Sequence, residues 1–359
     1  MARPTMMLEL FPVEVRYLTE VAALAIWTSS TVLITPVVYL LQDISWRYLY
    51  LIFTLTSAYS VFGYWICDES VRWLLANGKT SEAKNILRKA AKINKVNKDE
   101  VLFIVEKVKA EYFTRTEDLD TTTMIPTGND VKEINKNNLP KYNILTLFKK
   151  RRISTITVIM IIAWTVDSLT YYGLILSSAS LPVDRYLSFF LLAVAEYPVA
   201  IFEYTLMNRI GRKRFCILFH AVAAVSLLAG TAANYLSDFP GANIAIMAFF
   251  FLGKLGITGS FSCLFLYTPE MYPTNLRTIG IGLASAAGRV GGMLAPFAGP
   301  LSTHVRWAPG AIFGCLCVIL TLVLPFLPET RGHELPTLVE ELEEWYKTHS
   351  GTNRRQQSV

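Results

Sequence analysis

Charge is scarce in this 359-residue sequence, in which Asp, Glu, Lys and Arg make up 17% of the residues, against about 25% in a typical soluble chain. The deficit is uneven, because residues 68–152 hold 30 of the 62 charged residues. The remaining chain has too little charge to cover a globular surface, which argues against a soluble enzyme and a nucleic-acid-binding protein. The hydrophobic share of 52% indicates an integral membrane protein.

Cysteine and catalytic motifs are also sparse. The five cysteines are odd in number and lie in or at the ends of apolar runs, which favours packing roles over a disulfide framework or a metal site. The sequence has no Gly-x-x-x-x-Gly-Lys-Ser/Thr loop, no His-Glu-x-x-His pair and no Gly-x-Ser-x-Gly elbow. We therefore expect no enzyme activity, no cofactor and no bound metal.

Long apolar runs are what the sequence has instead. A bilayer-spanning helix needs about 20 predominantly apolar residues. Eight segments meet this requirement: 19–41, 47–67, 153–175, 186–207, 215–235, 243–268, 278–300 and 308–327. They predict an all-α integral membrane protein of about eight transmembrane helices.

Basic residues predict the orientation of these spans, because Lys and Arg concentrate in cytoplasmic segments. The segments on one side of the predicted membrane include 209–214, Arg277, the basic loop 68–152 and the C-terminal tail. Both termini are therefore predicted to be cytoplasmic. In the loop we predict amphipathic helices over 82–95 and 99–112, a polar linker over 116–141 and a short juxtamembrane helix over 142–150. We favour a solvated connector over a calmodulin- or lipid-binding role for this loop.

Two charged motifs occur twice, and two apolar spans lie between them in each copy. One has the pattern Glu-x-aromatic-Pro-x-x-aliphatic-Arg, and the other is a Glu followed two or three residues later by an Arg. The four Glu–Arg pairs are Glu9 with Arg16, Glu69 with Arg72, Glu270 with Arg277, and Glu329 with Arg331. The matched spacing indicates an internal duplication, which is typical of secondary transporters.

The duplication also predicts missing spans. Three spans and most of a fourth precede the second copy, whereas eight residues precede the first. We therefore expect a chain truncated at its N-terminus, either a gene-model or isoform fragment or a real short form. The predicted regions are a remnant of an N-terminal bundle (1–67), a cytoplasmic loop (68–152), a C-terminal six-helix bundle (153–327) and a cytoplasmic tail (328–359).

Several motifs carry a family resemblance. Residues 208–214 (Asn-Arg-Ile-Gly-Arg-Lys-Arg) resemble the loop motif of the major facilitator superfamily. Residues 68–75, followed by 81–92, are similar to the Pro-Glu-Ser-Pro-Arg-Trp-Leu signature and intracellular helix of the organic cation, carnitine and organic anion transporters (solute carrier family 22). Residues 253–258, 267–274 and 327–332 match the same family, while Asp68 and Val71 replace its usual prolines. The resemblance implies a twelve-span fold, of which this chain carries spans five to twelve and a remnant of span four, and a plasma-membrane location.

Ionisable residues inside spans are costly and mark pathways or internal pairs. Those deepest in the spans are Asp167, Glu196, Glu203, Lys254 and Arg289, with His220 nearer an end.

The resemblance gives two of them a role. Glu196 matches a Glu-x-Pro motif of the cation and carnitine transporters. Arg289 resembles the residue at the corresponding position of the carnitine and anion transporters. A carboxylate can counter a quaternary ammonium and a guanidinium can bind a carboxylate, so a site with both favours a zwitterion or mixed ions. The alternative is that Glu196 and Arg289 neutralise each other, or pair with Asp167 and Lys254. Lys254 and Asp167 are themselves candidates both for substrate binding and for an internal ion pair. Glu203 and His220 are expected to be satisfied packing residues or to lie near the interface.

Aromatic residues complete the candidate substrate site. Trp164 and Tyr171 share one helix face, Tyr172 follows, and Trp27 lies on the first span. Aromatic faces attract organic cations by roughly 0.5–2 kcal/mol each, although packing is the usual role of an aromatic in a span.

Towards the cytoplasm, a salt-bridge network is predicted to close an inner gate. Simple positive-inside topology is the alternative explanation of its basic residues. The members of the network in the second half are Arg209, Gly211, Arg212, Glu270, Arg277, Glu329 and Arg331.

The leading hypothesis is a carrier of small organic ions, either cations or carnitine-like zwitterions or organic anions, that works by alternating access within the lipid bilayer. The second hypothesis is a non-transporting membrane protein that only associates with full-length carriers. No coupling-ion site is readable in the sequence.

Overall fold

The computed structural model describes residues 15–58, 68, 71, 74, 79–97, 143–178, 184–236 and 241–331. All regular structure in these segments is helical. The chain divides into two compact units, one of residues 1–44 with 142–359 and the other of residues 45–141.

The helices are numbered here in chain order. The smaller unit contains α2 (Trp46–Ser57) and α3 (Thr80–Asn94). The larger unit contains α1 (Arg16–Leu40), α4 (Thr146–Lys149), α5 (Arg151–Ser177), α6 (Arg185–Val194), α7 (Tyr197–Phe202), a π-helix (Glu203–Met207), α8 (Asn208–Ile210), α9 (Arg212–Tyr235), α10 (Ala242–Met271), α11 (Thr274–Leu294), a 3₁₀ turn (Ala295–Phe297), α12 (Ala298–His304), α13 (Ala308–Val323) and a second 3₁₀ turn (Leu324–Phe326).

Seven helical stretches among the described residues are long and apolar enough to cross a membrane: Tyr17–Leu40, Arg151–Ser177, Arg185–Ile210, Arg212–Tyr235, Ala242–Met271, Leu276–His304 and Ala308–Phe326. They correspond to seven of the eight predicted spans, and the prediction of an all-α, multi-pass fold is confirmed. The eighth, 47–67, begins as α2, and its residues 59–67 lie outside the described residues. The orientation of the termini stays a prediction.

The charged loop is described in part. The helix predicted over 82–95 corresponds to α3. The residue that follows it, Lys95, is its C-cap and has a left-handed φ of 56°. The juxtamembrane helix predicted over 142–150 corresponds to α4. The helix predicted over 99–112 and the linker over 116–141 lie outside the described residues.

The span Arg185–Ile210 is interrupted twice. Asp184 begins it by accepting hydrogen bonds from the backbone N–H groups of Tyr186 and Leu187, which is a normal N-cap. Pro198 has no N–H to donate to the carbonyl group four residues earlier, and α6 ends at that residue, Val194. Glu196 therefore lies at a break between α6 and α7, and a π-helix begins at Glu203.

Glycines allow the long helices of the larger unit to pack closely. A Cβ atom on Gly256 of α10 would lie 2.6 Å from the backbone nitrogen of Ala223 in α9. A Cβ atom on Gly291 of α11 would lie 2.1 Å from the carbonyl oxygen of Thr165 in α5. Small residues at such crossings are typical of helices that pack in a membrane.

Gly291→Ala should lower the free energy of unfolding by about 1–3 kcal/mol, because the added methyl group forces the α5–α11 crossing apart. Gly282→Ala is the matched control on the same helix, since a Cβ atom there meets nothing within 4 Å. Thermal unfolding of the purified chain in detergent measures both. Equal stability of the two variants would contradict this close approach.

Candidate functional site

A buried ion pair lies at the break in the span Arg185–Ile210. The Lys254 Nζ atom of α10 is 2.8 Å from the Glu196 Oε1 atom. Each residue is 1% exposed. The two charges therefore neutralise each other where neither reaches solvent.

Tyr171, Trp27 and Thr28 surround this pair. The Tyr171 hydroxyl donates to Glu196 Oε1 at 2.9 Å, and the Lys254 Nζ atom lies 3.2 Å from the centroid of the Tyr171 ring. Trp27 Nε1 donates to the Tyr171 hydroxyl at 3.0 Å. The Thr28 hydroxyl approaches Glu196 Oε2 at 3.4 Å. These five residues, from α1, α5, α10 and the α6–α7 break, are called the central cluster below.

The chemistry of the central cluster suits an organic cation. A carboxylate and an aromatic face both attract positive charge, and both contact the Lys254 ammonium group here. Breaking a buried pair by removing one partner leaves an uncompensated charge. An ion that displaces Lys254 or Glu196 from this pair must therefore carry a charge of the same sign as the side chain that it displaces.

The other predicted substrate residues lie outside the central cluster or at its edge. Trp164 is buried in the core, where its Nε1 atom donates to the Thr268 hydroxyl at 2.9 Å. Tyr172 is half-buried and packs edge-to-face on Tyr171, with ring centroids 5.4 Å apart. Arg289 is exposed on α11 and shows no hydrogen bond or ion pair with another described residue. Glu196 is thus paired with Lys254 and not with Arg289.

Asp167 has a different partner. Its Oδ1 atom lies 2.8 Å from His220 Nε2, and both side chains are fully buried. His220, expected to be a satisfied packing residue or to lie near the interface, is buried and has hydrogen-bond partners at both ring nitrogens.

The sequence interpretation missed Thr28 and Glu20. Glu20 lies in α1 at the start of the predicted span 19–41, so the depth criterion that selected Asp167 did not select it. It neighbours Glu203, which is 0% exposed. Glu203 was expected to be a satisfied packing residue or to lie near the interface. It is buried, and neither of its carboxylate oxygens has a hydrogen-bond partner with normal geometry among the described residues.

The second-half members of the predicted gate lie together. Arg212 Nε, at the start of α9, is 3.4 Å from Glu270 Oε2 near the end of α10, and both side chains are buried. The Thr330 hydroxyl donates to the same Glu270 oxygen at 2.5 Å. Arg277 Nε donates to the carbonyl oxygen of Pro269 at 3.0 Å.

Glu329 caps the start of α9. Its Oε1 atom accepts from the backbone N–H groups of Arg212 at 2.8 Å and Arg331 at 3.2 Å, and a carboxylate is favourable at a helix N-terminus. Gly211 has a φ of 91°, and a Cβ atom there would lie 2.4 Å from Glu329 Oε2, so glycine is required for two reasons. The Arg331 guanidinium donates to the carbonyl oxygen of Arg209.

The first-copy residues Glu9, Glu69 and Arg72, and the side chain of Arg16, lie outside the described residues. The symmetry that the repeat predicts for the gate therefore stays a prediction.

Glu270→Gln should lower the free energy of unfolding by about 3–5 kcal/mol, because it leaves the Arg212 charge buried without its partner. Asp68→Asn is the matched control, since the Asp68–Lys89 pair, 3.0 Å apart, is exposed and such pairs contribute about 0–1 kcal/mol. Thermal unfolding in detergent compares the two. A Glu270→Gln chain as stable as Asp68→Asn would show that the buried pair contributes little.

Comparison with known proteins gives consistent matches. A family described as "Sugar (and other) transporter" matches residues 4–342. The rat organic cation/carnitine transporter 2 is 28% identical over 305 residues, which cover 85% of this chain and 49% of that protein. Mouse solute carrier family 22 member 4 is 31% identical over 307 residues (85% and 50%), and Xenopus laevis solute carrier family 22 member 6-A is 28% identical over 354 residues (99% and 59%).

Solved structures match in fold. The major facilitator superfamily proton:xylose symporter XylE superposes with a TM-score of 0.65 at 16% identity, covering 96% of this chain and 70% of XylE. Its inward-open conformation superposes with a TM-score of 0.54 at 18% identity, covering 95% and 68%. The chain spans about half the length of the curated relatives it matches.

Proposed function

Because the chain belongs to the sugar (and other) transporter family, we propose that it carries small organic ions across a membrane by alternating access, with the central cluster as the recognition site. Its matches are transporters and not enzymes. The chain is a multi-pass membrane protein, and the plasma membrane is the proposed location.

The buried Glu196–Lys254 pair carries this proposal. A buried ion pair is weak support for stability, because desolvation offsets much of the attraction between its charges. Ionisable residues within membrane spans are by default functional. A pair that costs desolvation energy in the middle of a helix bundle, beside an aromatic face, is therefore best explained by ligand recognition.

A carnitine-like zwitterion fits the chemistry of this pair. Its quaternary ammonium group would replace the Lys254 ammonium between Glu196 and the Tyr171 ring. Its carboxylate would then pair with the displaced Lys254 or with the exposed guanidinium of Arg289. Both poles of the substrate and both charges of the protein would remain compensated. The name of one relative, organic cation/carnitine transporter 2, refers to this chemical class.

The gate residues are proposed to close the cytoplasmic side. The Arg212–Glu270 pair joins α9 to α10, and Glu329 joins the segment after α13 to the start of α9. Separating these contacts would favour the inward-facing state. The loop 68–152 and the tail 328–359 are placed on the cytoplasmic side in this proposal.

Glu196→Gln should reduce uptake of the cation tetraethylammonium and of L-carnitine by about 10- to 100-fold, as expected for a lost charge-assisted contact of about 1.5–3 kcal/mol. Uptake of the anion p-aminohippurate should fall much less. Uptake into liposomes that contain the purified chain measures this. The double variant Glu196→Gln/Lys254→Met removes both charges and controls for misfolding caused by an unpaired lysine.

Arg289→Ala should show the opposite selectivity, with p-aminohippurate and L-carnitine uptake reduced and tetraethylammonium uptake retained. Arg306→Ala, which removes another exposed arginine, should change none of the three. Equal losses for all substrates in both site variants would contradict the site assignment. Correct membrane insertion without uptake by the unchanged chain would contradict the transport proposal and favour a non-transporting role.

A further inference from the structure

Asp167 and His220 form a second buried ionisable group, one helical turn from the central cluster. Asp167 precedes Tyr171 by four residues on α5, so the two side chains share a helix face. His220 Nε2 lies 2.8 Å from Asp167 Oδ1, and the Ser260 hydroxyl of α10 donates to Asp167 Oδ2 at 3.1 Å. All three side chains are 0% exposed. The group thus joins α5, α9 and α10 near the middle of these helices.

The hydrogen bonds of His220 favour an additional proton. Its Nδ1 atom lies 2.9 Å from the carbonyl oxygen of Cys216 and 3.6 Å from the Cys216 Sγ atom. The shorter contact is with an oxygen that only accepts, which favours a hydrogen on Nδ1 over acceptance from the thiol. The contact between Nε2 and Asp167 Oδ1 needs a second hydrogen, either on Nε2 or on the carboxyl group. Both arrangements hold one proton more than a neutral imidazole beside a carboxylate. These contacts favour a pair that holds this additional proton and has no net charge.

The surroundings cannot compensate for loss of this proton. Within the described part of the chain, the other titratable groups that face the pair are thiols: Cys216 on α9 and Cys317 on α13, with Cys263 of α10 behind Cys216. Arg289, on the α11 helix that packs against α5, is exposed. Deprotonation would leave a buried negative charge, which is very costly. The proton can leave readily only when the helices separate and water reaches the pair.

We propose that Asp167 and His220 form a proton-binding site that couples proton movement to transport. The inference rests on the proposed function. Since α5 carries both Asp167 and Tyr171, a shift of this helix on substrate binding at the central cluster changes the environment of the proton site as well. A pair that binds a proton when it is buried and releases it when water reaches it links proton movement to the movement of α5.

The protonation state can be measured without transport. In the reconstituted, ¹⁵N-histidine-labelled chain at neutral pH, either both ring nitrogens of His220 carry hydrogen or Asp167 shows a carboxylic-acid infrared band that Asp167→Asn removes. His220→Gln and His304→Gln assign the histidine signals. A neutral His220 beside an ionised Asp167 would overturn the proposal.

Coupling is tested in liposomes with an internal pH dye, with L-carnitine and tetraethylammonium as probes. A pH gradient should drive accumulation of a transported probe by up to about tenfold per pH unit for one coupled proton. Asp167→Asn, His220→Gln and the double variant, which leaves no unpaired charge, should lose this dependence but still exchange the probe at equal pH. His304→Gln should retain it.

The outcomes separate the two proposals. Gradient-driven accumulation that persists in the Asp167 and His220 variants would overturn proton coupling while leaving the transport function intact. Absence of any exchange by the unchanged chain would instead contradict the transport function, and the spectroscopic test of the proton site would still decide whether the pair binds its proton.

Discussion

The structure depends on one constraint: a charge buried among membrane helices has to find its compensation inside the protein. Two buried pairs within the spans meet it at close range, Lys254 with Glu196 and His220 with Asp167. Each group joins helices that are far apart in sequence, so the same contacts that compensate charge also determine which helices pack. The buried Arg212–Glu270 contact does the same at the ends of α9 and α10. Glu203 and Glu20 are different, because they are two neighbouring carboxyl groups.

These buried groups are of two kinds, which differ in their position along the helices. The contacts of Glu270, Glu329 and Arg212 lie where helices end, and backbone groups supply many of their partners. The Asp167 and Glu196 groups lie within the spans, where side chains supply nearly all the partners. This division suits the proposed carrier, since the contacts at the helix ends would separate when the gate opens and those within the spans would exchange when a ligand binds.

Sequence reasoning predicted the spans well because apolar length alone defines them, and the seven described spans agree with the predicted ones to within a few residues at most of their ends. It did not predict which residues meet. In a membrane, the lipid side and the packed side of a helix are both apolar, so hydropathy does not reveal how a helix is rotated. Trp164 and Arg289 illustrate this: both were candidates for the substrate site, yet one lies in the core and the other is exposed. The pairing of Glu196 with Lys254 depends further on the break at Pro198, which places Glu196 between two short helices.

The closed Glu196–Lys254 pair has an electrical consequence. Moving one elementary charge across the membrane changes its free energy by about 2.3 kcal/mol for every 100 mV of membrane potential. A carboxylate and an ammonium group that move together contribute nothing to this term, so the membrane potential neither drives nor opposes reorientation of the empty central cluster. A bound monovalent cation adds one charge, and a bound zwitterion adds none. The voltage dependence of a carrier built around such a pair would therefore be set by its cargo and by any accompanying proton.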